Sequence, residues 1–129
     1  MLVKTAELTD AALDWAVAKC EGKTKLYQRR NGALRTIDSG HPEYAKDFLR
    51  SHDCYSTDWS KGGPIIEREC MTVHCWRSPS RPYATMFTIH LIRGEGETPL
   101  IAAMRCYVTS KMGDEVDVPQ EVYSPSFIK

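Results

Sequence analysis

The chain is expected to fold as a single α+β domain, a mostly antiparallel sheet with helices packed on it. A helix-period apolar stripe stands near each end of the sequence, and runs rich in β-branched and aromatic residues lie between them. The third observation is size: 129 residues, 42% apolar and 26% charged, suit one ordinary globular domain. A chain of that length buries roughly two thirds of its unfolded surface, so folding requires neither disulfides nor metal. The domain is assigned to residues 1–119, with 23–54 as a variable, insertion-like region and 120–129 as a C-terminal tail.

"LTDAALDWAVAKCEG" predicts the first helix, with Thr9 as cap, Asp10 in the first turn and Gly22 after the last. Ala12, Leu13, Ala16, Val17 and Cys20 form its apolar stripe, which leaves Asp14, Ala18 and Glu21 toward water. The Asn31-Gly32 pair predicts a two-residue turn between strands near 24–30 and 33–38, a hairpin at an edge or projecting from the body. Pro42, with Tyr44 and Phe48 four residues apart, predicts a short amphipathic helix.

Further on, "MTVHCW" and "YATMFTIHLI" read as two strands separated by the loop "RSPSRP". Bulk alternates on both faces of the second run, so it is expected to be one central strand. "GEGETPLIAAMRCYVTSKMGDEV" then carries a helix with Thr98 as cap, Pro99 at its first position and Gly113 past its end. Leu100, Ala103, Met104, Tyr107 and Val108 are its buried stripe. The tail, with two prolines, is expected to be extended.

Charge excludes some functions. Seventeen basic residues balance seventeen acidic ones, so no global field draws the protein onto nucleic acid. The basic run Lys23, Lys25, Arg29, Arg30 and Arg35 is a local exception, read first as a solvated hairpin face. Five cysteines without a C-x-x-C pair, and a leading segment without the apolar core of a signal peptide, point to reduced thiols in a cytosol. No run approaches the ~20 apolar residues of a membrane span.

No complete catalytic signature is present. His52, Cys54, Cys70, His74 and Cys75 offer nitrogen and sulfur donors, but on a strand His74 and Cys75 point to opposite faces, and free cysteines are more often small buried hydrophobes. No metal and no cofactor is therefore assigned. Cysteine–histidine catalysis lacks any family-specific surround, and Gly62-Gly63 precedes Pro64 rather than the Gly-Lys-Ser/Thr of a P-loop.

The densest chemistry lies in "TDWSKGGPIIERE", residues 57–69. One reading starts a helix at Gly63-Pro64, so that the N–H groups of Ile65, Ile66 and Glu67, near Lys61, hold an anion. Another has Asp58 capping an earlier turn, with Trp59 packed on the core and Glu67 and Arg68 outward. A carboxylate pair from Asp58, Glu67 and Glu69 is a third, although no spacing fixes two of them across a substrate.

"TAELTDAALDWAVAKCEG", "YSTDWSKGGPIIERE" and "TPLIAAMRCYVTSKMGDEVDVP" closely resemble, in order and spacing, three blocks of the NinX-like family of lambdoid phages and prophages. Related phage domains are α-β-α sandwiches, which the resemblance implies here. The family pattern has two more residues in the turn before Asp58, and residues 23–54 and 77–82 match it poorly. It supplies no catalytic residues. The shared positions are Trp15, Thr57, Asp58, Trp59, Gly62, Gly63, Pro64, Glu67, Arg68 and Arg105, of which Trp15, Thr57, Pro64, Glu67 and Arg105 are read as structural.

The resemblance implies an accessory protein made in the cytoplasm of a bacterial host, a setting in which phage proteins often act on host defence or phage DNA metabolism. The expected function is a non-enzymatic, homo-oligomeric binding module that captures a host protein or a small anionic signal such as a nucleotide. Asp58, Trp59, Lys61, Gly62, Gly63 and Arg68 would form its site, Trp59 by stacking and Arg68 by its planar fork. The alternatives are an enzyme cleaving such a signal with Asp58 and Glu67, and an RNA- or DNA-binding protein using hairpin 23–35 with Tyr27.

Overall fold

The computed structural model describes residues 2–21, 26–28, 34–36, 54–75 and 81–118. Its centre is the helix α3, Pro99–Met112. The Thr98 hydroxyl accepts the Ile101 N–H at 3.1 Å, Pro99 opens the first turn, and Gly113, at φ 84, ends the helix as the sequence predicts. The predicted stripe is buried, and so are Ala102, Arg105 and Cys106, so that α3 is enclosed on every side through its middle turns. A helix in that position is a hub rather than a cover.

One layer against it is a three-stranded antiparallel sheet of β4 (Thr72–His74), β5 (Tyr83–Phe87) and β6 (Leu91–Glu95), with β5 central. Ala84 and Met86 of β5 face α3 and are buried. Gly94 of β6 is required by proximity, because a Cβ there would meet the backbone of Ala102 and Cys106 at 2.5 Å. The helix thus lies directly on the strand.

The run 83–92 is not one central strand. It turns at 88–90, where the Thr88 N–H bonds the His90 carbonyl at 3.1 Å, and returns as β6 with Phe87 opposite Leu91. That turn is built from Thr, Ile and His, with none of the Gly, Asn or Pro that normally announce one. The alternating bulk does not mean burial on both faces either: Phe87, Ile89 and Leu91 are 75%, 86% and 66% exposed.

Against α3 on another side packs α1, Asp10–Cys20. Thr9 occupies its cap position without a side-chain bond. The expectation that Asp14, Ala18 and Glu21 face water is overturned. Residues 11–18 are all buried, Asp14 at 3% exposure accepts the Ser56 N–H at 2.8 Å, and Glu21 bonds Tyr107 of α3. An eleven-residue helix covered from two directions has no solvent side to its middle turns, whatever its pattern suggests.

The third helix, α2 (Trp59–Arg68), leans on α3 through Gly62 and Ile65. Among the described residues two small antiparallel ribbons are also present. β1 (Leu2–Lys4) pairs with β7 (Glu115–Asp117), placing Val3 opposite Val116, both buried, and the Thr5 hydroxyl donates to the Gly113 carbonyl at 2.7 Å. β2 (Leu26–Gln28) pairs with β3 (Leu34–Thr36), the predicted hairpin with shorter strands. Its Asn-Gly turn, the helix expected near Pro42 and the tail 120–129 lie outside the described residues. The buried residues form one core cluster, and the α+β class stands as predicted: helices packed on an antiparallel sheet.

Candidate functional site

The stretch 57–69 is an amphipathic helix with both ends finished by its own residues. Asp58 is the N-cap: its Oδ1 accepts the Ser60 N–H at 2.9 Å and the Ser60 hydroxyl at 2.7 Å. These bonds hold the Asp58 carboxyl below its ordinary range, with Lys61 adding to the shift. Helix α2 therefore begins at Trp59, not at Gly63-Pro64. Pro64 sits inside it, where its missing N–H leaves the Ser60 carbonyl without the usual partner one turn on.

That earlier start removes the anion site. The N–H groups of Ile65, Ile66 and Glu67 lie beyond the first turn, at the seventh to ninth helical positions, and serve carbonyls four residues back. Trp59 is not on the core either: it is 55% exposed, on the first turn. Glu67 is exposed, as expected, yet it stands nine residues from Asp58, about 13 Å along the axis at 1.5 Å per residue. A carboxylate pair that far apart does not flank one bond.

Gly62 and Gly63 play different parts. A Cβ on Gly62 would fall on the Tyr55 carbonyl and the Leu100 side chain, so this glycine lets α2 approach both the preceding turn and α3. Gly63 has room for a methyl, which would only touch Trp59 at 3.9 Å. The preceding turn, closed by the Thr57 and Asp58 N–H groups on the Cys54 carbonyl, buries Tyr55 and Ser56 and leaves Thr57 exposed. Pro64 and Lys61 are exposed as well.

Arg68, at the other end of α2, is occupied. Its Nη1 and Nη2 donate to the two Glu21 oxygens at 2.9 and 2.6 Å, Nη2 also to the Tyr107 hydroxyl at 3.1 Å, and Nε to Glu69 at 2.9 Å. Tyr107 in turn donates to Glu21 at 2.5 Å. The fork that sequence reading assigned to a phosphate therefore joins the end of α1, the end of α2 and the middle of α3. Burial and the negative Glu21 beside it push the Tyr107 hydroxyl pKa well up. Glu21 was missed because its partners are 47 and 86 residues away, which no local spacing signals.

The remaining shared positions are internal. Trp15 is 2% exposed with the Lys19 ammonium 5.0 Å from its ring centroid. Arg105, 6% exposed, donates from Nε to the Leu8 carbonyl and from Nη1 to the Glu95 carbonyl, both at 2.9 Å. Among the described residues no three metal-ligating side chains come together; His74 stacks on Tyr83 at 4.1 Å, and His52 lies outside the described residues.

Fold and site together define a small α+β protein built on a buried helix, Pro99–Met112, with a second helix that presents an exposed tryptophan. A family model, Bacteriophage P22, NinX, matches residues 4–111, which spans the elements from β1 into α3. The chain belongs to this phage protein family. The match runs through the 23–54 region that the block resemblance left out. No curated protein sequence matches the chain. No helix among the described residues is long and apolar enough to cross a membrane.

Proposed function

We propose that this phage accessory protein is a non-enzymatic binding module working in the host cytoplasm, and that it captures a host protein through the Trp59 end of α2. The observation that carries this reading is Trp59 itself. A tryptophan with half its surface in water, on the first turn of a helix whose far end is pinned by Arg68, is a pre-organised apolar anchor. The same geometry weakens the phosphate grip, since Arg68 is spent and the N–H groups of Ile65, Ile66 and Glu67 serve the helix. It also weakens hydrolysis: Asp58, held ionised by Ser60, is no proton donor.

A nucleotide stacked on Trp59 beside Lys61 is the second reading, favoured by the exposed indole. The hairpin tip, where Phe87, Ile89 and Leu91 stand in water, is the surface we assign to contact between copies of the chain.

The test is recovery of the tagged protein from phage-infected cells, identification of bound protein and of small molecules released by boiling, and titration of the purified candidate. Trp59→Ala is expected to melt as the wild type does and to bind the partner at least tenfold more weakly, the loss of an anchor worth about 2 kcal/mol. Equal binding by Trp59→Ala overturns the reading, and a nucleotide released on boiling selects the second.

A further inference from the structure

We infer that the outer edge of β6 is a binding site for a small oxyanion, a phosphate or carboxylate group, held by Arg105. The site is separate from Trp59 and does not depend on the reading above. A half-open cleft of about 220 Å³ lies there, lined by Ala6, Arg93, Gly94, Glu95, Arg105 and Thr109.

Strand parity decides what the cleft offers. The Thr88 N–H bonds the His90 carbonyl and the Gly96 N–H bonds the Pro82 carbonyl, at 3.1 and 3.2 Å. Stepping by two residues from either bond turns the peptide groups of Ile92 and Gly94 toward β5. Those of Leu91, Arg93 and Glu95 then face the outer edge, where no described strand pairs with β6. Arg105 agrees with that parity, since its Nη1 donates to the outward Glu95 carbonyl. The Arg93 peptide N–H is left at the same edge without a protein acceptor among the described residues.

Arg105 supplies the charge. Two of its N–H groups hold carbonyls, of Leu8 and Glu95, and its Nη2 makes no hydrogen bond to any described residue. A guanidinium has five N–H donors, so three remain. At 6% exposure it is buried, yet no described carboxylate forms an ion pair with it; the Glu95 carboxylate is taken by Arg93 at 3.0 Å. Burial, with Arg81 adding and Glu97 opposing, pushes its pKa down from the usual value. A buried cation with no carboxylate in ion-pair contact is costly, and an oxyanion entering the cleft relieves that cost while accepting from Nη2 and an edge amide. The cleft volume is below the roughly 300–1,000 Å³ of drug-sized ligand pockets, so it fits an anionic group or a very small metabolite rather than a whole nucleotide.

The experiment is thermal unfolding with sodium phosphate or sodium acetate against sodium chloride at equal ionic strength. Tm is expected to climb with the logarithm of the oxyanion concentration and not with chloride. A larger rise with phosphate assigns a phosphoryl ligand, and an equal or larger rise with acetate a carboxylate. Arg105→Gln removes the charge but also disturbs two carbonyl bonds, so Ala6→Glu is the decisive variant, placing a carboxylate within the cleft. It should melt higher than the wild type without added anion and lose the oxyanion-dependent rise. Equal curves in all three salts, or a rise that persists undiminished in Ala6→Glu, overturn the inference.

Discussion

Cys70 is in the left-handed region, at φ 54, the one non-glycine residue there among those described. It follows α2 in a Schellman arrangement: the Cys70 N–H bonds the Glu67 carbonyl at 3.2 Å and the Met71 N–H the Ile66 carbonyl at 3.1 Å. Glycine is the residue that position favours, because a Cβ there crowds the carbonyl oxygen. Cys70→Gly is therefore expected to stabilise the protein by about 1 kcal/mol, read as a higher denaturant midpoint at unchanged m-value. A lower midpoint would mean that the exposed thiol side chain contributes more than the strain costs. Single residues were also where sequence reading failed most. Thr98, Pro99 and Gly113 could be placed because a cap is a local interaction, whereas Asp14 looked solvated because its donor, Ser56, is 42 residues away.

At the scale of elements, α2 is held at its far end by charge and at its middle by close approach. Arg68→Ala removes the forked contact with Glu21, which is largely buried at 15% side-chain exposure, along with the bond to Tyr107. Arg68 is itself 49% exposed, so solvent screening limits the loss to about 1–2 kcal/mol. The variant should melt lower with no ligand present, and Arg68→Lys should recover only part of the difference because an ammonium cannot fork. Wild-type stability in Arg68→Ala would return this side chain to the list of free ligand-binding groups. Elements with a local start and stop were legible, α3 above all. The start of α2 was misjudged because Gly63-Pro64 is a stronger local signal than a single Asp58, and the β5–β6 hairpin because its turn lacks turn residues.

The whole molecule stores its thiols in two classes. Cys54, Cys70 and Cys75 are exposed, while burial raises Cys20 to about 12 and Cys106 to about 11. The three exposed thiols should react quickly with a disulfide reagent under native conditions, the half-buried Cys20 more slowly, and Cys106 only as the protein opens. The same burial sets the alkaline limit. A thiol whose folded pKa is raised contributes stability that is intact below the unfolded value, near 9.0, and lost as pH rises toward 11 and 12. Tyr107, also raised, acts in the same direction higher up. Tm should be level between about pH 7 and 8.5 and fall above pH 9, as a melting series across that range would show, and Cys20→Ser should fall less steeply. A Tm independent of pH up to 11 would contradict the burial of Cys106 and the half-burial of Cys20.

The hub position of α3 fixes an order of events during synthesis. Residues 2–4 find their β-partner only when 115–117 have been made, and the sheet and α1 have nothing to pack on until α3 emerges. At about 5–20 residues per second, most of the chain waits for several seconds with its apolar faces uncovered. The packing of residues 2–95 therefore waits on residues 99–117, which follow them in the chain.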